Sequence, residues 1–428
     1  MTFWQRLKKG ILQVFTASVV NKAVSMLSNM VLTRILAQTA YGIFSYVLNV
    51  HSYANLIMGF GLVAGALQFG AENRNKPAQE QFYRYCAKAG MLANVGIVLV
   101  FVGLSFTGKM PFAQAGYYVR IYMPLIFLEY LRMLFLVILR SQSRFGEYSK
   151  LTTVHTVFTA VCTCGGAVWG VNGVIFGKYA AELLSLLIIL YVLRGTLRSV
   201  FCAGRLNGGQ KKELWHYSVF NGISSTLNQI LYLIDISMIA AFIGSEETLA
   251  VYKVATLIPN ALAFVPFSLV VCIVPDIVAH SQNPVWLKTT MRKTFAGMFA
   301  VNFCISLVLI VFAPWLIRII SGEQYLAAAA PFRVLAAGYC IAGTFRVLSV
   351  NFLAALKAVR WNVVCSLLMC AADIGLNYLL IPKYGMMGAA YATFGGEVIA
   401  SLLTFGCLWI ILQKRKPHAI RNGFSRET

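Results

Sequence analysis

Apolar residues run through this chain in long blocks separated by short stretches rich in Lys, Arg, Asn and Gly. A bilayer-spanning α-helix needs roughly 20 predominantly apolar residues, and the blocks are of that order. Taken in turn, they predict twelve spans, at 11–35, 41–69, 83–106, 117–139, 151–170, 173–193, 215–242, 248–279, 294–320, 329–356, 361–381 and 385–412. Polar residues inside the blocks are not scattered. Ser18, Lys22, Ser25 and Asn29 in the first span recur at helical spacing and share one face. Ser45, Asn49 and Ser52 do so in the second, with His51 and Asn55 close by. The seventh carries Asn221, Ser225, Asn228, Tyr232 and Asp235, and the eighth Lys253, Thr256 and Asn260. Such faces are ill suited to lipid. They serve either as interhelical packing glue or as the lining of a hydrated path, and their recurrence in spans 1, 2, 7 and 8 favours the lining.

Composition agrees with the pattern. Hydrophobic residues make up 59% of 428 positions and charged residues 12%, a balance far from that of a water-soluble domain. Little chain is left for a soluble domain. The expected fold is an all-α polytopic membrane protein, with twelve transmembrane helices in two parallel six-helix lobes around a central cavity. The net charge of +22 raises the question of nucleic acid, and the location of the charges answers it. Most Lys and Arg fall in the termini and even-numbered loops, including Lys8, Lys9, Arg74, Lys76, Arg140, Arg144, Lys211, Lys212, Lys288, Arg292, Lys293, Lys414, Arg415 and Lys416. The odd-numbered loops hold only Lys109 and Lys383, beside Glu246, Glu247 and Glu323. By the positive-inside rule both termini face the cytoplasm. The basic excess is then a topology signal with attraction to anionic headgroups of membrane lipids, and nucleic acid is not an expected partner.

The chain repeats itself. Ser18, Asn21, Ser25, Ser28 and Asn29 align with Ser218, Asn221, Ser225, Asn228 and Gln229. Gly170, Gly173 and Glu182 align with Gly385, Gly388 and Glu397, and Arg144-Phe145 with Arg360-Trp361. Six spans per half give both halves one orientation, related by an axis along the membrane normal. The predicted lobes are 1–205 and 206–428, joined by the Gly-rich basic segment from Arg194 to Glu213. Such a pair suggests alternating access.

Charges inside spans are expensive and tend to be functional. Glu129 with Arg132 at i+3, and Lys178 with Glu182 at i+4, can close ion pairs on single helices. Lys22, Lys253 and Arg346 have no carboxylate in helical reach, so they either meet acids on other helices or face water. Asp235, ending a polar stripe, is the leading candidate for proton or cation coupling, with Asp373 and Glu397 as further midmembrane carboxylates. His51 and His155 lack ligand spacing and read as structural. Pro259, Pro266 and Pro275 in span 8, and Gly59, Gly61 and Gly65 in span 2, mark kinks. Most cysteines, such as Cys304, Cys365, Cys370 and Cys407, sit in apolar segments, and the Cys162 to Cys164 pair lacks metal-ligand partners. No metal or cofactor is indicated. The N-terminal apolar run lacks a cleavage site and reads as an uncleaved first span.

The run LTRILAQTAYGIFSYV, Leu32 to Val47, resembles the junction of the first two helices in bacterial polysaccharide exporters. GFGLVAGALQFGAE, Gly59 to Glu72, and IPKYGMMGAAYATFGGEV, Ile381 to Val398, resemble the end of helix 2 and the junction of helices 11 and 12 in the same proteins. With the repeat and span number, the similarity covers essentially the whole chain. The family is that of the Wzx-type flippases of O-antigen and exopolysaccharide repeat units, within the multidrug/oligosaccharidyl-lipid/polysaccharide exporter superfamily. The resemblance implies a bacterial inner-membrane protein that is not an enzyme. Its substrate would be an undecaprenyl-diphosphate-linked oligosaccharide, and its partners a polysaccharide polymerase and chain-length machinery. Charge suits that substrate, because a diphosphate must exchange water for protein donors. Lys22, Lys253 and Arg346 are candidates to hold it, and Ser25, Asn29, Asn49, Asn228 and Asn260 to line the cavity and bond sugar hydroxyls.

Three rival classes remain, one of them a non-transporting scaffold, which would have no need of buried polar stripes. A multidrug or small-molecule cation-coupled antiporter of the same superfamily would favour an aromatic, acidic pocket, which the basic residues oppose. A membrane enzyme of lipid-linked sugar assembly would need an extramembrane catalytic domain, and the predicted outer loops are about ten residues or shorter.

Overall fold

In the computed structural model the described residues are 3–72, 76–280, 283–356 and 358–414; the side chains at 3–12, 223–228, 231, 232, 271, 272, 275 and 359 lie outside that description. Every element among them is helical. In the first part of the chain these are α1 (Phe3–Ile35), α2 (Gln38–Leu56), α3 (Leu62–Glu72), α4 (Lys76–Ser105), α5 (Ala115–Tyr122), α6 (Leu125–Ser141), α7 (Phe145–Gly166) and α8 (Gly170–Cys202). There follow α9 (Gly208–Ile243), α10 (Glu246–Leu262), α11 (Phe264–Ala279), α12 (Pro284–Val311), α13 (Ala313–Ser321), α14 (Ala329–Ile341), α15 (Val347–Ala355), α16 (Val359–Tyr384) and α17 (Met386–Lys414). Nine stretches among the described residues are long and apolar enough to cross a membrane, one of them containing both α7 and α8. This is a multi-pass membrane protein. α1, whose Ser, Lys and Asn stripe dilutes its apolarity, is not among the nine.

Several predicted spans are broken rather than continuous. The second breaks between α2 and α3, where Gly59, Phe60 and Gly61 take φ of 57°, 48° and 77°. Two glycines make that left-handed path accessible. The freed Gly59 N–H donates to Asn94 Oδ1 at 2.8 Å, meeting the need for a partner that any interrupted helix creates in lipid. The eighth breaks between α10 and α11. Pro266 has no N–H to offer the Leu262 carbonyl four residues back, and the Tyr339 hydroxyl, 2.9 Å from Asn302 Oδ1, also lies 3.2 Å from that carbonyl oxygen. A π-helical turn at Ala342–Arg346 interrupts the tenth.

The sequence repeat is also a repeat of backbone conformation. Gly170 and Gly385 both take positive φ, 70° and 57°, in the turns before α8 and α17. Three residues on, a Cβ at Gly173 would come within 1.9 Å of the Gly166 carbonyl oxygen, and one at Gly388 within 2.2 Å of the Leu380 oxygen. Each half therefore brings its fifth and sixth spans into backbone contact through the same small residue.

Packing divides the chain into two compact units, Met1–Leu257 with Ile317–Ala328, and Ile258–Leu316 with Ala329–Thr428. The first has a core of Phe82, Tyr83, Tyr130, Leu134 and Ile138, among others. The second is built around Phe295, whose ring lies 5.1 Å from Phe405 and 5.8 Å from Phe352. α9 packs along α2 and α3, and so is part of the first unit.

Within the first unit, the LTRILAQTAYG run has a mechanical role. Arg34, at the end of α1, donates to the Ile319 carbonyl and, from Nε at 3.3 Å, to the Ile320 carbonyl at the end of α13. A cation suits a helix C-terminus. Thr33 Oγ1 donates to Ser321 Oγ at 3.2 Å, Gln324 Nε2 to the Thr33 carbonyl at 3.2 Å, and Tyr41 meets Tyr325 edge-on. Gly42 lies so close to α10 that a Cβ would sit 2.0 Å from the Glu246 carbonyl oxygen. Gly42→Ala is therefore expected to lower the thermal unfolding midpoint in detergent, with an overpacking penalty of about 1–3 kcal/mol. Gly96→Ala, where nothing lies within 4 Å, is the control expected to leave the midpoint unchanged or raised.

Candidate functional site

Four helices of the first unit carry a buried group of charges. On α2, His51 and Asn55 are one turn apart; on α6, Glu129 and Arg132; on α8, Lys178 and Glu182; α7 adds His155. One-turn spacing puts each pair on a single helix face. His51 Nε2 lies 2.9 Å from Glu129 Oε2, and Asn55 Nδ2 donates to the same oxygen at 3.1 Å. Arg132 Nε donates to Glu182 Oε2 at 2.7 Å. His155 Nε2 stands 3.5 Å from Glu182 Oε1, and Lys178 Nζ is 3.8 Å from Glu182 and 4.0 Å from Glu129. With neutral imidazoles, the two carboxylates, Arg132 and Lys178 sum to zero charge, as a buried group in lipid must nearly do.

This cluster differs from the sequence expectation. The Lys178–Glu182 pair forms on its own helix, but Arg132 turns from Glu129 to Glu182 across the interface. Glu129 already accepts from His51 and Asn55, whereas Glu182, completely buried, needs the closest strong donor. His51 and His155, which lack ligand spacing, are both in the network. The chain offered one signal for it. Arg132 and Glu182 are 50 residues apart, and Arg346 and Glu397, their counterparts in the second half, are 51 apart.

That second pair forms too. In the second unit Arg346 Nε donates to Glu397 Oε2 at 2.6 Å and Nη2 to Oε1 at 3.0 Å, a two-pronged bridge. Of the two alternatives for Arg346, it therefore meets an acid on another helix. Removing it would strand the buried Glu397 carboxylate. Arg346→Ala is thus expected to reduce the folded fraction on size exclusion, and Arg346→Met with Glu397→Gln to restore it. Asp373 is also buried, its Oδ1 3.2 Å from where a Cβ on Gly396 would lie, so the glycine leaves room for it.

The α1 stripe behaves differently. Ser18, Lys22 and Ser25 are exposed and Asn29 is half-buried. Ser18 Oγ donates to the Val14 carbonyl at 2.8 Å and Asn29 Nδ2 to the Ser25 carbonyl at 2.9 Å, both within their own helix. The stripe is therefore not packing glue. Half a turn around α1 lie Val20, Leu27 and Val31, 43%, 60% and 40% exposed. One open face suits hydrocarbon; the opposite one, with a lysine near its centre, suits water.

Asn49, by contrast, is glue: buried on α2, it donates to the Leu233 carbonyl at 3.2 Å and to Ser237 Oγ at 2.8 Å on α9. Asp235 accepts from the Tyr252 hydroxyl at 3.1 Å. Lys253, half-buried on α10, has no ion pair among the described residues. Asn260 is exposed beside Pro259. The Asn228 side chain lies outside the described residues, as do those of Ser225 and Tyr232.

A family model described as polysaccharide biosynthesis protein matches residues 7–281. An uncharacterized membrane protein of Methanocaldococcus jannaschii is 27% identical over 197 residues, which are 44% of this chain and 37% of that protein; the match thus spans little more than a third of the relative's length. Among solved structures, a multidrug resistance MATE family transporter of the MOP superfamily in an inward-facing conformation has a TM-score of 0.74 at 14% identity, covering 95% of this chain and 97% of that one. The lipid II flippase MurJ, inward closed, scores 0.72 at 13% identity, over 92% and 87%. A MOP superfamily transporter from Pyrococcus furiosus, with a binding pocket of reverse polarity, scores 0.65 at 15% identity, over 95% and 96%. At these identities the likeness establishes the fold.

Proposed function

The chain belongs to the polysaccharide biosynthesis protein family, and from that premise we propose that it is a flippase for undecaprenyl-diphosphate-linked oligosaccharide. Its place is the inner membrane of a bacterium, with twelve spans in two lobes, both termini cytoplasmic, and alternating access as the mode of transport. The repeat unit of an O-antigen or exopolysaccharide is the cargo.

The observation that carries this reading is the α1 stripe. Lys22 is exposed on a face of Ser and Asn that bonds only to its own helix, opposite an exposed apolar face. A lysine so placed is free to meet an anion arriving through water. A diphosphate is such an anion, and charge-assisted bonds to it are stronger than neutral ones. Lys22 and Lys253 take the diphosphate, and Ser25 and Asn29 bond sugar hydroxyls. Asn49 and Arg346, engaged within the protein, support the path rather than line it. The C55 tail stays in lipid, where burying its CH₂ groups is favourable.

Native mass spectrometry of gently solubilised protein tests the reading. Retained undecaprenyl-diphosphate oligosaccharide is the expected result. Retention of cationic drugs, with no lipid-linked sugar, would instead make the protein a multidrug antiporter.

A further inference from the structure

We propose that the second compact unit carries a docking face for a polyprenyl diphosphate, with the isoprenoid chain lying against the rings of Phe299, Phe345 and Phe405 and the diphosphate held by Lys288 and Arg292. That this lipid is the carrier of the exported oligosaccharide rests on the flippase reading. The face itself rests on three observations.

The first is an aromatic surface built around an irregular turn. α12 and α17 barely touch each other, and both pack against the π-helical turn Ala342–Arg346. Such turns are rare and recur at functional sites. This one sends Arg346 to Glu397 and Phe345 to the gap between α12 and α17. The rings of Phe295, Phe345 and Phe405, one from each element, all lie within 6.1 Å of one another. Outward from them, Phe299 lies 6.2 Å from Phe345 and 5.8 Å from Phe303, and Trp409 lies 6.2 Å from Phe405. Those outer rings are 43%, 50% and 52% exposed.

The second is the repeat, which shows that packing alone does not ask for rings. The offsets that relate Arg132 to Arg346 and Glu182 to Glu397 relate Leu131 to Phe345 and Leu190 to Phe405. Both leucines pack against the core of the first unit. Aliphatic side chains therefore suffice to join these helices, and the rings are an addition of the second half.

The third is charge. Lys288, Arg292, Phe299 and Phe303 recur at helical spacing on one face of α12. Lys288 and Arg292 are exposed, at the end that the charge pattern assigns to the cytoplasm, and neither has an ion pair among the described residues. At 1.5 Å per residue, Phe299 lies about 10 Å and Phe303 about 16 Å along the axis from Arg292, which is the depth of one leaflet. The face thus runs from cations to rings as an anionic amphiphile runs from head to tail. The Arg292 fork matches phosphate oxygens, and a diphosphate offers charge to both cations. The tail that uses rings is the isoprenoid. Each of its units carries a methyl branch and a flat double bond that pack on ring faces, whereas a saturated acyl chain is served as well by leucines.

The test uses the full-length protein in nanodiscs of phosphatidylethanolamine and phosphatidylglycerol, with undecaprenyl diphosphate bearing a diazirine in its isoprenoid chain. After irradiation, adducts are expected on the segments 299–303 and 405–409, and excess unlabelled undecaprenyl diphosphate should remove them while added phosphatidylglycerol should not. Labelling should fall about tenfold in Phe299→Leu with Trp409→Leu and in Lys288→Gln with Arg292→Gln. All four side chains are exposed, so both variants should remain monodisperse. Adducts spread over every lipid-facing helix overturn the proposal, as does competition by phosphatidylglycerol, which would make this an ordinary phospholipid contact. Flipping of undecaprenyl-diphosphate oligosaccharide in proteoliposomes separates the two readings. Localised labelling without flipping leaves the docking face standing and refutes the flippase; flipping without labelling here refutes the docking face alone.

Discussion

Glu182→Ala is expected to abolish accumulation of folded protein, more completely than any other single truncation in the chain. Glu182 is fully buried and is the carboxylate on which Arg132, Lys178 and His155 converge. Its loss would leave two permanent cations against one carboxylate inside a low-dielectric bundle. Breaking a buried pair by removing one partner costs about 3–5 kcal/mol, a large share of the roughly 5–15 kcal/mol that holds a folded protein together. Glu182→Gln, which keeps an acceptor for Arg132 but not the charge, should fall between. The matched change Glu397→Ala should be milder, because the Arg346 side chain is 19% exposed against 12% for Arg132, and solvent compensates it more. Monodisperse yield on size exclusion checks the order. Equal yield for wild type and Glu182→Ala would show that the cluster does not hold the fourth and sixth spans together.

The second large effect concerns binding rather than folding. Lys22→Ala is expected to leave yield and thermal stability unchanged, since Lys22 is exposed and forms no ion pair among the described residues. It should nonetheless weaken retention of the lipid-linked oligosaccharide by about 10- to 100-fold, the equivalent of the roughly 1.5–3 kcal/mol of one hydrogen bond to a charged group. Lys22→Arg should retain most of the binding. Asn29→Ala, removing a neutral donor, should weaken it only a fewfold. The Lys22→Ala, Lys253→Ala double variant should retain no detectable lipid. Undiminished retention in that variant would exclude both lysines from the diphosphate.

Much of the architecture was legible in the chain because the bilayer imposes it. Lipid offers no partner to a backbone N–H or C=O, so a long apolar block has little choice but a helix. Block length and order followed directly. The repeat was legible because glycines that allow backbone contact, such as Gly173 and Gly388, tolerate no side chain. The polar stripes were legible from helical period alone. What a stripe does was not. Asn49 and Asn29 look alike in sequence, yet one bonds across to α9 and the other back to its own helix.

The charged residues divide along the same line. Spacing along one helix brings Lys178 and Glu182 together, and they do meet. It could not give Arg132 to Glu182, Arg346 to Glu397 or His51 to Glu129, which are 50, 51 and 78 residues apart. Helical period fixes which residues share a face, because it is set by the backbone of one segment. Which face meets which is set by the packing of many segments at once. The sequence by itself determined a membrane-embedded, all-helical repeat with polar faces. Only the tertiary structure decided which charges neutralise one another, and that Lys22 and Lys253 have no ion pair among the described residues.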